Sequence, residues 1–164
     1  MKQKLQDGDI LICTSNRFIP RIIKWATKSN WTHTAQIFKV DNILGVLEAQ
    51  MEGIHWISFE QWEKKYGYDY IVYRRARLIK LEQLKEKAFS KSGNTAYDFV
   101  NFCIRVPFKL LTGRYKYKGE EREVKRMICS EYTAWIYDIK DWWKLTPDDV
   151  EKFLRKSTRY IIVK

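Results

Sequence analysis

Cys129, His33 and Glu48 are the residues whose types and settings could combine into nucleophilic catalysis. Cys129 stands in Met127-Ile128-Cys129-Ser130-Glu131, where a polar stretch gives way to apolar residues at Ile128, Tyr132, Trp135, Ile136 and Ile139. That spacing marks one face of a helix and puts the cysteine at its start. A helix start has unpaired N–H groups and the positive end of the backbone dipole, so it favours an anion. Thiolate is the reactive form of cysteine, and the same N–H groups could hold a developing oxyanion. The competing reading is a small buried core thiol, as most lone cysteines are. Position alone does not choose between the two.

A nucleophilic thiol needs a base, and imidazole has the suitable pKa. Only His33 and His55 are present. His33 follows the polar Ser29-Asn30-Trp31-Thr32 and opens a strand pattern, so it could lean into a cleft; a capping or surface histidine is the bland alternative. His55 falls in mid-strand beside Trp56 and reads as packed or half-exposed. A third group must orient the ring. Glu48, flanked by Leu47 and Ala49, is an acid in an apolar run, which is costly without a partner. It lies 48 − 33 = 15 residues after His33. Two adjacent antiparallel strands would set both side chains on one face.

The elements that must position these groups follow from periodicity and breakers. Asp7-Gly8-Asp9 is a turn, and Ile10 to Cys13 a short buried strand. Phe18 to Lys28 has helical spacing. Strands are expected at Thr34–Val40, Ile43–Gln50 and Gly53–Phe59, joined by turns at Asp41-Asn42 and Met51-Glu52-Gly53 as an antiparallel meander. Tyr70–Arg75 is a further strand, and Leu81–Lys91 a helix broken by Ser92-Gly93-Asn94. A helix is expected from about Tyr97 to Leu111, then a charged loop from Gly113 to Arg126. Thr146-Pro147-Asp148-Asp149 is a helix start with a hydroxyl cap, Pro at the first position and an acid three residues after the cap. Arg159–Lys164 reads as a closing strand. Strands first, helices later and a final strand predict an α+β domain spanning 1–164.

Composition bounds the function classes. The chain has 164 residues, 45% of them hydrophobic and 15% aromatic, which suits one globular domain with a large-ringed core or cleft. The net charge of +11 favours polyanionic surroundings without choosing among nucleic acid, anionic lipid and phosphate-bearing wall polymers. Basic residues are spread along the chain, with a denser stretch from Lys109 to Arg126, and no zinc-finger, RNP or basic-zipper motif occurs. Three irregularly spaced cysteines (Cys13, Cys103, Cys129) argue against a disulfide framework, and with two histidines they predict no structural metal. No signal peptide is apparent at the N-terminus and no run approaches a membrane span, so a cytoplasmic location is expected, with any envelope action needing another export route.

Taken in order, Gly8-Asp9-Ile10-Leu11, Trp31-Thr32-His33, Glu48-Ala49, Tyr97-Asp98-Phe99, Cys129-Ser130-Glu131 and Pro147-Asp148-Asp149 resemble the motifs of the permuted NlpC-like papain-fold proteins of the YiiX type. The resemblance runs from Gly8 to about Val150. It implies a circularly permuted papain-like fold, with an antiparallel sheet or small barrel packed against helices and the His strand preceding the Cys helix. It also implies Cys129 as nucleophile, His33 as base, Glu48 as the polar residue on the following strand, and Tyr97 lining the site or binding the oxyanion. The residue between His33 and Ala35 is the polar Thr34, where relatives usually carry an apolar one.

The expected function is a cysteine-dependent hydrolase or acyltransferase acting on an amide or ester, in a wall peptide or an acyl lipid, without cofactor. A non-catalytic binding module of the same fold is the alternative, and a basic nucleic-acid-associated protein ranks behind it.

Overall fold

Strands joined by tight turns pair with their neighbours in sequence, because antiparallel pairing is then the nearest way to satisfy backbone N–H and C=O groups. A computed structural model of the chain describes residues 5–15, 24, 29–76, 80–93, 96–97 and 126–163. Its strands are β1 (Ile10–Thr14), β2 (His33–Val40), β3 (Ile43–Gln50), β4 (Gly53–Ser58), β5 (Asp69–Arg75), β6 (Ala96–Tyr97), β7 (Arg126–Met127) and β8 (Tyr160–Ile162). Six of them form an antiparallel sheet in the order β4-β3-β2-β1-β5-β8, while β6 and β7 pair in parallel as a separate ribbon. The described helices are α1 (Phe59–Tyr66), α2 (Leu81–Phe89), α3 (Cys129–Ile136) and α4 (Pro147–Lys156). The α+β reading holds, and the meander runs through β2, β3 and β4. Asp41 and Asn42 both take left-handed φ, as a two-residue hairpin turn requires.

Alternation along the strands divides the core between the two faces of the sheet. Leu11, Cys13, Ala35, Ile37, Val46 and Val72 pack with Trp62 of α1 on one face. Ile10, Ile12, Phe38, Leu47 and Tyr73 cluster with Tyr132, Ile136, Val150 and Leu154 of α3 and α4 on the other.

Helix α1 departs from the expected strand, which ran on to Phe59. Ser58 ends β4 and caps the helix, its Oγ accepting from Gln61 N–H at 3.4 Å. Gly67 closes the helix in the left-handed conformation, its N–H donating to Glu63 O at 3.0 Å. Both signals stand in the sequence as Ser-x-x-Gln and a following Gly; the aromatic Phe59 masked them by extending the strand pattern.

A second departure concerns Tyr97. The backbone of Ala96 and Tyr97 is extended and pairs with Arg126 and Met127, rather than opening a helix. The expected helix at Phe18–Lys28, the rest of the 97–111 helix, the 113–126 loop up to Arg126, and Cys103 lie outside the described residues. The start of α4 is as expected: Thr146 Oγ1 accepts from Asp149 N–H at 3.2 Å, and Asp149 Oδ2 accepts from Thr146 N–H at 3.0 Å.

Candidate active site

His33 is the first residue of β2, so its ring projects from the end of the sheet rather than from its middle. It points to the face that carries Ala35 and Ile37, and Glu48 of β3 points to the same face beside Val46. The strands are adjacent and antiparallel, and they bring His33 Nε2 within 2.6 Å of Glu48 Oε2, with both side chains buried. A carboxylate only accepts, so Nε2 carries the proton and donates. Trp62 Nε1 of α1 donates to the same carboxylate oxygen at 3.1 Å. His55, directly opposite Glu48 on β4, is half-exposed and holds its Nε2 3.9 Å from Glu48 Oε1.

Cys129 arrives from the opposite side of the sheet. It is the first residue of α3, whose Thr133 meets the β2 residues facing away from His33. Thr34 Oγ1 lies 2.6 Å from Thr133 Oγ1, Gln36 Nε2 also contacts Thr133 Oγ1, and Thr133 Oγ1 donates back to Cys129 O at 3.0 Å. The polar Thr34 thus has a buried partner on the helix. One turn before Thr133, Cys129 lies near enough to the His33 ring for its charge to act on the imidazole. With Nε2 committed to Glu48, Nδ1 is the nitrogen left to exchange a proton with a thiol.

Electrostatics follow from this enclosure. Burial pushes the His33 imidazole down, but the charge and hydrogen bond of Cys129, then the hydrogen bond and charge of Glu48, outweigh it and raise the pKa to about 10. Burial pushes the Glu48 carboxyl up, and the hydrogen bond and charge of His33 with the Trp62 N–H more than reverse this, leaving it lowered. Cys13, whose Cα pairs with His33 across β1 and β2, is a different thiol. Burial first, then the charges of Glu48 and Cys129, hold it well above the ordinary thiol value, so it stays protonated and inert.

Three further residues enclose the pair and were not apparent from sequence reasoning. Tyr68 stacks on the His33 ring with centroids 5.6 Å apart. Gln50, at the end of β3, puts its amide nitrogen 3.5 Å from His33 Nε2. Trp62 is fully buried and packs against Tyr68, with centroids 5.5 Å apart. Only the placement of α1 and its Gly67 turn brings Trp62 and Tyr68 over the sheet end.

The remaining motif residues hold the frame. Asp9, fully buried, accepts from Arg74 Nε and Nη2, each at 2.8 Å, tying β1 to β5. Ser29 Oγ donates to Asp148 Oδ1 at 2.8 Å and accepts from Trp31 N–H at 3.1 Å, so α4 anchors the segment that leads into His33. Ser130 Oγ donates to Leu145 O at 2.7 Å. Glu131 Oε2 accepts from Ile128 N–H at 3.2 Å, which caps α3 one residue before Cys129. The role expected of the Tyr97 side chain lies outside the described residues; its backbone is in register with Met127, two residues before Cys129.

No family model matches the sequence, and no curated protein matches it. Among solved structures, the crystal structure of the metalloprotein yiiX from Escherichia coli O157:H7 superposes with a TM-score of 0.65, covering 97% of this chain and 96% of that one at 18% identity. The two chains share a fold. The match extends over nearly the full length of both, as the order of the sequence motifs leads one to expect. Among the described residues, no helix is long and apolar enough to cross a membrane.

Proposed function

We propose that the chain is a cysteine-dependent hydrolase or acyltransferase acting on an amide or ester bond. Cys129 is the nucleophile, His33 the general base and then acid, and Glu48 the group that orients the imidazole. The observation that supports the reading is the buried His33 ring, held by Glu48 at 2.6 Å on Nε2 and close enough to Cys129 to feel its charge. His33, raised well above its ordinary value, already carries on Nδ1 the proton drawn from the thiol, and the Cys129 thiolate Sγ attacks the carbonyl carbon. The backbone N–H of Cys129 at the helix start stabilises the oxyanion. His33 then protonates the leaving amine or alcohol, and water or another acceptor releases the acyl group from the thioester.

Resemblance to the permuted NlpC-like proteins supports two substrate classes, a peptide amide of the bacterial wall and an acyl lipid or lipid-modified amine. The E. coli neighbour is described as a metalloprotein. Among the described residues of this chain, no three His, Cys, Asp or Glu side chains gather at a spacing that would hold an ion.

The test is the pH dependence of alkylation by iodoacetamide, mapped to Cys129 by peptide mass, in the wild type and in His33→Ala. Near neutral pH the wild-type Cys129 reacts faster than a free thiol, and His33→Ala slows it by about tenfold or more. A Cys129 that reacts no faster than a free thiol and ignores the loss of His33 belongs to a binding module instead.

A further inference from the structure

Residues 152–164 (KFLRKSTRYIIVK) carry five Lys and Arg and no Asp or Glu. In α4, the residues Pro147, Val150, Glu151 and Leu154 face the core, which leaves Lys152, Phe153 and Lys156 on the outer face. With Ser157 and Arg159 they line an open hollow of about 570 Å³. Beside it runs β8, an edge strand of the sheet, joined to α4 by the edge-on contact of Phe153 with Tyr160 at 6.4 Å. Five large hydrophobic residues are well exposed among those described, and two of them fall on this face, Phe153 at 40% and Ile162 at 53%. Ile162 shares the α4 side of the sheet with Tyr160 and Tyr73, whereas Ile161 points to the opposite side. Scattered apolar exposure needs no explanation, whereas a cluster rimmed by cations does.

We propose that this α4–β8 face docks on an anionic phospholipid bilayer. Lys156 and Arg159 meet lipid phosphates, and Phe153 and Ile162 enter the headgroup boundary. The cations give the sign of the partner, and the apolar side chains give its kind. A nucleic-acid duplex would use the charges and leave Phe153 and Ile162 in water, whereas a bilayer uses both. Lys152 contributes less, because it is paired with Asp148 at 2.6 Å, and Arg155 is held by the buried Glu151. The face excludes Cys129, His33 and Glu48, so it stands independently of the proposed reaction.

Sedimentation with vesicles tests the proposal, using pure phosphatidylcholine against phosphatidylcholine with about 30% phosphatidylserine. The wild type is expected to bind the anionic vesicles about tenfold or more tightly, with binding weakened by salt. Lys156→Glu with Arg159→Glu should lose about twentyfold or more, at roughly fivefold per cation removed. Phe153→Ser with Ile162→Ser should lose the part of binding that survives high salt. Reversal of two exposed cations elsewhere, Lys39→Glu with Lys64→Glu, carries the same charge change and should retain binding to within a few-fold. Circular dichroism and Cys129 alkylation at the wild-type rate establish that each variant is folded with its site intact.

Three results overturn the proposal. One is equal binding, or none, to the two vesicle types. The second is an equal loss in the Lys39 and Lys64 control. The third is binding that ignores Phe153 and Ile162 while a DNA duplex is retained through the same cations, which would mark a polyanion patch.

Discussion

Tyr68 lies stacked on His33, with ring centroids 5.6 Å apart and planes inclined by 23°. Tyr66 stacks in turn on Tyr68 at 5.4 Å and 17°, so a short column of rings runs from the half-buried end of α1 to the imidazole. A stacked ring restricts rotation of the imidazole about its last side-chain bond and keeps water from the hydrogen bond to Glu48. Burial, followed by the charge of Glu48, raises the Tyr68 pKa, so the ring stays neutral beside the ion pair.

Replacing Tyr68 with Leu removes the stack and leaves bulk in place. The expected cost is about 0.5–1.5 kcal/mol beyond lost burial, measured by urea denaturation, with a fall of about tenfold in Cys129 alkylation near neutral pH. Tyr68→Phe keeps the ring and should retain most of both. Equal losses in the two variants would assign the effect to the hydroxyl instead.

The coupling of His33 to Cys129 is open to direct titration, since only two histidines need assigning in the NMR spectrum. His33 should stay protonated well above 6.5 and titrate near 10. In Cys129→Ala the largest raising influence is gone, and the pKa should fall. The signs set a window for stability. A histidine raised in the folded state contributes fully below its ordinary value of 6.5, and that contribution is lost as pH rises toward 10. Glu48 is lowered, so its contribution is present above its ordinary value of 4.5 and lost as pH falls through the folded value. The pair therefore supports the fold most between these ordinary values, and denaturation midpoints should decline on either side. A Cys129→Ala variant in which His33 titrates unchanged would show that the two side chains are not coupled.

Thr133 is the polar link between β2 and α3. In Thr133→Val, Thr34 Oγ1 and Gln36 Nε2 lose their buried partner and Cys129 O loses its side-chain donor. Each stranded group costs about 1–3 kcal/mol, so the variant should be among the more destabilised of this fold, by chemical denaturation. Thr133→Ser restores the hydroxyl and should recover most of the loss. A neutral Thr133→Val would mean that the three groups find water or one another.

Local periodicity was enough for β2, β3 and β4, because a half-buried strand writes its two faces into alternate residues. The cap at Thr146 and the helix face that begins at Cys129 are likewise local signals. The nearness of His33 and Glu48 was also legible, since a two-residue turn at Asp41-Asn42 leaves β2 and β3 only one simple pairing. The clasp of Asp9 on Arg74, 65 residues apart, was not legible. Neither was the bond of Thr34 to Thr133 across 99 residues, nor the Trp62 donor to Glu48. Each depends on which face a helix covers and at what height, and residue order does not encode that locally. Sequence alone thus determined that a thiol begins a helix and that an imidazole and a carboxylate sit on neighbouring strands. Only the tertiary structure decided that α3 docks on the far face of the sheet, with Thr133 on Thr34 and Gln36 and Cys129 one turn earlier, near enough to act on His33. Helix docking is set by burial summed over many side chains, and no single motif contains that sum.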